Sequence, residues 1–166
     1  LSCMRRSFVA SRAPLEDDVH VMLRYPGNAV GSLWASAVNV GSAHGFKVRV
    51  IGAKGSLEWW DERPNQLKVA LLGRPEMTYE RAHGYLDPSA RFERVGGGHP
   101  AGYFDSWANV YRRFAMAMSG VPALREQAAA LGYPSVQDGI DGVRFMLRCA
   151  ESADADSRWL NLRDAG

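Results

Sequence analysis

The first half of the chain is a succession of short segments in which apolar and polar residues alternate, separated by only a few turn-forming residues. The segments with this pattern are residues 18–25, 29–40, 46–51, 56–60, 66–72 and 77–81. Alternation of this kind is typical of strands with one buried face. Connections this short can join antiparallel strands, but they cannot hold the crossover helix that parallel strands need. The sequence therefore predicts an open, predominantly antiparallel β-sheet.

Residues 29–40 carry apolar side chains on both faces of the predicted strand. Val30 and Trp34 lie on one face, and Leu33 and Ala35 lie on the other. A strand with one face in water would place polar residues on that face. We therefore expect helices to pack on one face of the sheet and a second copy of the chain, forming a homodimer, on the other, which we take to be the Leu33 face. A core strand of a sandwich explains the pattern equally well.

The second half of the chain predicts helices. Residues 104–118 place apolar side chains at helical spacing, and Gly120 follows as a stop signal. Residues 123–131 predict a helical turn or two, and Ser135 is the expected N-cap of a further helix. A short final strand is predicted at residues 159–162. Strands followed by helices indicate an α+β fold.

Composition limits the classes of partner. A chain of 166 residues fits a single domain covering residues 1–166. Its net charge of +2 is too balanced for a dedicated nucleic-acid binder. No apolar run reaches the length of about 18 residues that a membrane helix needs. We therefore expect neither nucleic acid nor a membrane as partner. With only two cysteines, Cys3 and Cys149, the chain predicts no disulfide framework and a cytoplasmic location.

Patterns for metal binding and nucleophilic catalysis are absent from the sequence. The four histidines are scattered and no ligand-spacing motif occurs, so we expect no metal site and no catalytic residue. Cys149 is interpreted as a packing thiol. The acidic run at residues 16–18 is interpreted as solvated. The GAKG sequence at residues 52–55 is interpreted as a hairpin turn with an exposed Lys54, not a phosphate clamp.

The most unusual stretch is GGGHPAG, residues 96–102. Consecutive glycines permit close backbone approach and unusual φ angles. His99 follows them just before a predicted helix, where its imidazole could bond a polar ligand or carry a proton. A flexible connector with an incidental histidine is the alternative. The spacing does not match a dinucleotide-binding fingerprint.

Four stretches together resemble the C-terminal domain of the Gfo/Idh/MocA (glucose–fructose oxidoreductase / inositol dehydrogenase) family. They are VHVMLRYPGNAVGSLWAS at 19–36, VIGAKGSLEW at 50–59, GHPAGYFDSWANVY at 98–111 and YPSVQDGIDGVR at 133–144. The resemblance extends over nearly the whole chain. It implies an α+β domain whose sheet packs helices on one face and another subunit on the other. It also implies oxidation or reduction of sugars and polyols with NAD(P).

The resemblance also shows which parts of such an enzyme the sequence does not contain. Neither the N-terminal Rossmann domain nor the segments that carry the family's active-site lysine and catalytic Asp-x-x-x-His motif occur in it. We therefore expect no cofactor bound by this chain, with NAD(P) only where a nucleotide-binding domain is supplied elsewhere. Related members often carry Gln at the position of Ala37 and Glu at the position of Ala101, so two polar groups of a sugar pocket are missing here.

Two functions follow as hypotheses. The first is the substrate-side and oligomerisation domain of an NAD(P)-dependent sugar or polyol oxidoreductase, truncated or free-standing and inactive alone. The second is a stand-alone module that binds a small polyol or a separate Rossmann subunit, or serves as a scaffold, and has lost the dehydrogenase role. The resemblance makes His99 the first candidate for substrate contact, with Arg24 and Ser36 as weaker candidates.

Overall fold

The computed structural model describes residues 1–87 and 95–163. Contacts between Cα atoms divide the chain into two compact units. The first unit combines Leu1–Gly41 with the chain that follows Pro134, and the second unit is Ser42–Pro134. Each contains one antiparallel sheet, which confirms the α+β class. The hydrogen bonds distribute the strands over two sheets, where the sequence suggested one.

The first unit has a three-stranded sheet in the order β1-β2-β3, formed by β1 (Ser2–Arg6), β2 (Asp18–Arg24) and β3 (Val30–Ser36). The predicted strand at residues 29–40 ends early at Ser36. The reason is that Ser36 pairs with Asp18, the first residue of β2, and the pairing ends with one further bond, from the Ala37 N–H to the Asp17 carbonyl at 2.8 Å.

A long helix, α3 (Val136–Asp154), packs on the first unit's sheet. Ser135 is its N-cap, as predicted: its Oγ accepts from the backbone N–H of Asp138 at 3.2 Å. The side chains packed between helix and sheet are Leu1, Cys3, Val19, Val21, Leu23, Phe145, Cys149 and Ala153. The single buried face that the alternation at residues 18–25 predicts is confirmed in β2, where Val19, Val21 and Leu23 face the helix.

Three details of the first unit differ from expectation. Strand β1 was not predicted, because its sequence, SCMRR, has a single strongly buried residue, Cys3. Residues 159–162 are not a strand: Leu1 and Leu160 exchange backbone hydrogen bonds, but one such pair does not make a ladder. Leu33 pairs with Val21 and so lies on the helix-covered face, not on the open one.

The buried cysteines confirm the packing interpretation of Cys149. Cys3 and Cys149 are both free and buried in the core of the first unit. Burial raises the pKa of both thiols, that of Cys149 to about 12. They therefore stay protonated at neutral pH and behave as small apolar groups.

The second unit contains a four-stranded meander in the order β4-β5-β6-β7. Its strands are β4 (Lys47–Gly52), β5 (Gly55–Trp60), β6 (Gln66–Leu71) and β7 (Met77–Glu80). Gly52 pairs with Gly55, so the GAKG sequence is the predicted hairpin turn. A Cβ atom at Gly55 would lie 2.3 Å from the carbonyl oxygen of Ala70, which explains the glycine there.

Two helices complete the second unit: α1 (Tyr103–Met118) and α2 (Pro122–Leu131). They pack against each other. Arg113 of α1 donates to the carbonyls of Leu131 and Gly132, at 3.3 and 3.4 Å, where α2 ends. Helix α2 covers the whole predicted segment, residues 123–131, as one continuous helix and begins one residue earlier at Pro122, whose ring presets the helical φ. Within the described residues, no helix is both long and apolar enough to span a membrane.

Candidate functional site

The glycine loop forms a tight turn whose shape requires two of its glycines. His99 closes the turn by donating its backbone N–H to the carbonyl of Gly96 at 3.3 Å. A Cβ at Gly97 would lie 3.1 Å from the carbonyl oxygen of Ala82, so the two backbones approach too closely for a larger residue to fit without displacement. Gly98 has a φ of +79°, which L side chains rarely adopt. The loop is thus a specified structure and not a featureless connector.

Arg81, directly after β7, holds this loop by its carbonyl groups. Its Nη1 lies 2.6 Å from the carbonyl oxygen of Val95, and its Nη2 lies 2.8 Å from that of His99. Its Nε donates to Asn65 Oδ1 at 2.9 Å. The same Asn65 oxygen accepts the backbone N–H of Ala101 at 3.2 Å. Arg81 and Asn65 therefore anchor both ends of the segment that carries His99.

A cavity of about 510 Å³ lies beside the loop, within the second unit. Its lining residues are Glu62, Arg63, Pro64, Asn65, Gln66, Glu80, Arg81, Gly98, His99 and Pro100. The volume falls in the range of about 300–1,000 Å³ that is typical of small-molecule sites. Its walls offer hydrogen-bond donors and acceptors of both charge signs, which suits a polar ligand with several hydroxyl groups.

The His99 side chain is exposed, and one of its ring nitrogens is already used. Nδ1 lies 3.3 Å from the carbonyl oxygen of Gly97. A carbonyl oxygen can only accept, so this hydrogen bond requires a proton on Nδ1. In the neutral ring, Nε2 then has a free lone pair and can accept a proton from a ligand hydroxyl.

The other two candidates, Arg24 and Ser36, belong to the first unit. They lie on the same face of β2 and β3, at opposite ends of the pair. The Arg24 guanidinium carbon stacks 4.0 Å from the ring centre of Trp159. Ser36 Oγ accepts the backbone N–H of Val38 at 3.3 Å and also bonds to Asp18. Both side chains have structural partners, and only His99 lines the cavity.

Two acidic residues interpreted as solvated are in fact buried. Asp17 accepts the backbone N–H groups of Phe8 and Val9, at 2.8 and 2.9 Å, and these bonds lower its pKa. Asp18 accepts Trp34 Nε1 at 2.9 Å, which lowers its pKa as well. The signal that would have shown this is the cross-strand register of β2 and β3, which alternation within each strand leaves open; this register places Asp18 on the face of Trp34 and Ser36.

Asp18 also holds a histidine that the sequence did not single out. His20 Nε2 lies 3.0 Å from Asp18 Oδ2, and the imidazole stacks on the Trp34 ring with centroids 5.9 Å apart. In the part of the chain that the structure describes, no group of three His, Cys, Asp or Glu side chains could hold a metal ion.

Comparison with known proteins decides the family. The family model described as "Oxidoreductase family, C-terminal alpha/beta domain" of the Gfo/Idh/MocA proteins matches residues 3–162. The chain belongs to this family. It is similar to the uncharacterized oxidoreductase YfiI of Bacillus subtilis (strain 168), with 41% identity over 98% of this chain and 42% of that protein.

Comparison with solved structures supports the same family. The chain is 52% identical to an oxidoreductase from Pseudomonas syringae, with a TM-score of 0.90 over 98% of this chain and 45% of that one. It is 49% identical to an inositol dehydrogenase homolog from Azotobacter vinelandii complexed with NADH and myo-inositol, with a TM-score of 0.86 over 96% of this chain and 43% of that one. The chain spans less than half the length of each of these relatives.

A nicotinamide dinucleotide, which the family implies, does not fit the described residues. Dinucleotide cradles are built on parallel strands joined by helices, with a glycine turn between strand and helix. All strand pairs in the described residues are antiparallel. No chemical step through that cofactor is derived from these residues.

Proposed function

We propose that the chain is the polyol-side and oligomerisation domain of an NAD(P)-dependent oxidoreductase, with the nucleotide site provided by another polypeptide segment or subunit. One observation carries this proposal: the chain is 49% identical, over 96% of its length, to a homolog whose structure contains NADH and myo-inositol. The cavity beside His99 supports it with a suitable size and polarity.

The role of the chain's own residues is to bind and orient the polyol. A neutral polyol offers hydroxyl groups that both donate and accept, so it can use His99 Nε2 as acceptor and the cavity's arginines as donors. His99 is a substrate-contact residue in this proposal. Arg24 and Ser36 are not assigned to the pocket, because their side chains are held by Trp159 and Asp18.

We also propose that a second copy packs on the open face of the first unit's sheet. The open face is defined by four apolar side chains, Met4, Met22, Val30 and Trp34, which lie opposite the face that α3 covers and are all exposed. Exposed apolar clusters on a sheet are typical of contacts between subunits. The two free, buried cysteines support a reducing, cytoplasmic location.

The small core supports the proposal that the chain works with other segments. In the described residues, the buried apolar residues are Leu1, Cys3, Val21, Val69, Met116, Ala128 and Cys149. Helix α1, in contrast, exposes aromatic side chains along its length, including Phe104, Trp107 and Tyr111. Chains of this size normally bury far more apolar surface.

Two measurements test the proposed function. The first is the intact mass of the product in the cells that make it. A mass that includes a nucleotide-binding domain favours a dehydrogenase, and a mass near that of this chain favours the stand-alone module instead.

The second measurement is calorimetry of the chain with myo-inositol and with NAD⁺. We expect binding of the polyol and none of NAD⁺.

The calorimetric test has a matched control. His99→Ala should weaken polyol binding, whereas His83→Ala, which removes an exposed histidine outside the cavity lining, should leave it unchanged. Equal affinities of the two variants would contradict the role of His99. Absence of binding by any sugar or polyol would contradict the polyol pocket.

A further inference from the structure

We propose that Arg81 is a positioning residue that, through the glycine loop, fixes His99 as the Nδ1–H tautomer and leaves Nε2 as a proton acceptor. The idea that this acceptor takes a polyol hydroxyl rests on the proposed function. The claim about the tautomer does not, because it follows from the geometry of the loop.

Hydrogen bonds to Asn65 hold both the backbone and the Nε of Arg81. Its backbone N–H donates to the carbonyl of Asn65 at 2.8 Å, which continues the pairing of β6 and β7 by one residue. Its Nε is fixed by Asn65 Oδ1. The sheet therefore determines the direction in which the guanidinium points.

The planar fork of the guanidinium then selects one loop conformation. Its two terminal nitrogens bond to the carbonyls of Val95 and His99, at 2.6 and 2.8 Å. These carbonyls lie on either side of the glycine turn, so they can meet one fork only when the turn is closed. A lysine ammonium keeps the charge but lacks the spaced, coplanar donors, so it cannot reproduce this arrangement.

The closed turn determines the state of the imidazole. It brings the Gly97 carbonyl to 3.3 Å from His99 Nδ1 and directs its oxygen at the ring. Free histidine side chains are not constrained in this way, and the tautomer is set by the hydrogen bond that the other nitrogen makes. Loss of Arg81 frees the His99 carbonyl and opens the turn, so Nδ1 loses its acceptor.

The test is nitrogen-15 NMR of the histidine rings in the full chain, at a pH well above the ordinary imidazole pKa of about 6.5. His99→Ala identifies the resonances. We expect the Nδ1–H pattern for His99 in the wild type and its loss in Arg81→Met. Arg81→Lys should not restore it. Arg63→Met, which removes another arginine of the same cavity, should retain the wild-type pattern.

Two results would overturn the inference: an Nε2–H pattern in the wild type, or an Nδ1–H pattern that persists in Arg81→Met. Where Arg81→Met fails to fold, Arg81→Lys alone decides, because it keeps the positive charge and most of the side-chain volume. A wild-type pattern in that variant contradicts the role of the fork.

Ligand binding separates this inference from the proposed function. We expect Arg81→Lys to weaken myo-inositol binding about tenfold, the effect of losing roughly one hydrogen bond. If the tautomer responds as expected but no polyol binds the wild type, the proposed function fails and the positioning role stands. If polyol binds but the tautomer is indifferent to Arg81, the positioning role fails.

Discussion

The two units of the chain hold a histidine in opposite ways. In the first unit, side chains hold His20: Asp18 bonds its Nε2 and Trp34 stacks on its ring. In the second unit, backbone holds His99: the Gly97 carbonyl lies at its Nδ1, and Arg81 maintains the turn that places it there. The Nε2 atom of His20 is therefore bonded to a carboxylate, whereas His99 uses Nδ1 for its backbone contact and lines a cavity.

This difference indicates a division of roles between the units. In the first unit, the polar groups of the Asp18 cluster (Asp18, His20, Trp34 and Ser36) bond to or stack on one another, which suits a part that provides stability and assembly. The second unit arranges polar groups around open space, which suits a part that binds a ligand. Changes in the first unit should thus affect stability and oligomeric state, and changes at His99 should affect ligand affinity alone.

The largest expected effect concerns assembly through the open face. Val30 is 76% exposed there, and Val30→Glu would place a carboxylate in the proposed contact between copies. Arg24 is the cross-strand neighbour of Val30, so the contact would have to bury two charges, and their mutual attraction does not fully repay the loss of water from both. At a net cost of about 4 kcal/mol, dimer affinity should fall about a thousandfold. Sedimentation velocity over a range of protein concentrations measures the dimer affinity.

The control for assembly is Leu72→Glu, at an equally exposed leucine of the second unit, 81% exposed. It should leave the dimer intact. A dimer that tolerates Val30→Glu, or a wild type that stays monomeric at all concentrations, contradicts the open face as an interface. Leu33→Glu is a poor test, because Leu33 lies on the face that α3 covers.

The next effect concerns the core of the first unit. Val21 is 1% exposed and packs between the sheet and α3, so Val21→Ala removes two methyl groups and leaves a cavity. We expect the free energy of unfolding to fall by about 2–3 kcal/mol. The matched variant Val50→Ala, at a strand position 60% exposed, should change it by less than about 0.5 kcal/mol. Denaturant titration of the chain measures the free energy of unfolding of both variants. Equal losses would contradict the conclusion that burial of Val21 in the first unit's core stabilises the chain.

Much of the fold was predictable, because strands and helices follow local periodicity. The alternating strand at residues 18–25, the hairpin at residues 52–55 and the N-cap Ser135 were all predicted from neighbouring sequence alone. The Arg81 contacts were not, since Arg81 bonds to carbonyls 14 and 18 residues further along the chain. Every residue carries a backbone carbonyl that can accept such a bond, so the residue types at these positions give no sequence signal and only the folded loop reveals the role of Arg81.

The burial of Asp18 was missed for a related reason. An acidic run looks solvated when its residues are considered in sequence. Pairing of β2 with β3 brings Asp18 opposite Ser36, and the Trp34 indole then reaches its carboxylate. The pattern needed was the cross-strand register, which becomes definite only once the end of β3 is known.

Alanine substitutions of His99 and His20 should have smaller effects, on ligand affinity and on stability respectively. His99→Ala should weaken polyol binding about tenfold, the effect of about one hydrogen bond, and leave stability unchanged. His20→Ala should leave polyol binding unchanged and lower stability slightly, because Asp18 loses one partner. Calorimetry gives the polyol affinity of each variant, and thermal unfolding gives the stability of each. A ligand effect of His20→Ala equal to that of His99→Ala would abolish the distinction between the units.

The smallest expected effect is a difference in acid stability. Backbone and Trp34 hydrogen bonds lower the pKa of Asp17 and Asp18 in the folded state, so both carboxylates favour the folded state when ionised. Their contribution is complete above the ordinary aspartate pKa of about 3.9, and it is lost as pH falls from there through the folded pKa. Asp18→Asn should therefore reduce stability at neutral pH and flatten the fall of stability below about pH 4, because an amide does not titrate there. Asp156→Asn, at an aspartate outside this cluster, should leave the pH profile as in the wild type. Denaturant midpoints measured across this pH range test it, and an unchanged slope in Asp18→Asn would mean that the first unit does not depend on the ionised state of this carboxylate.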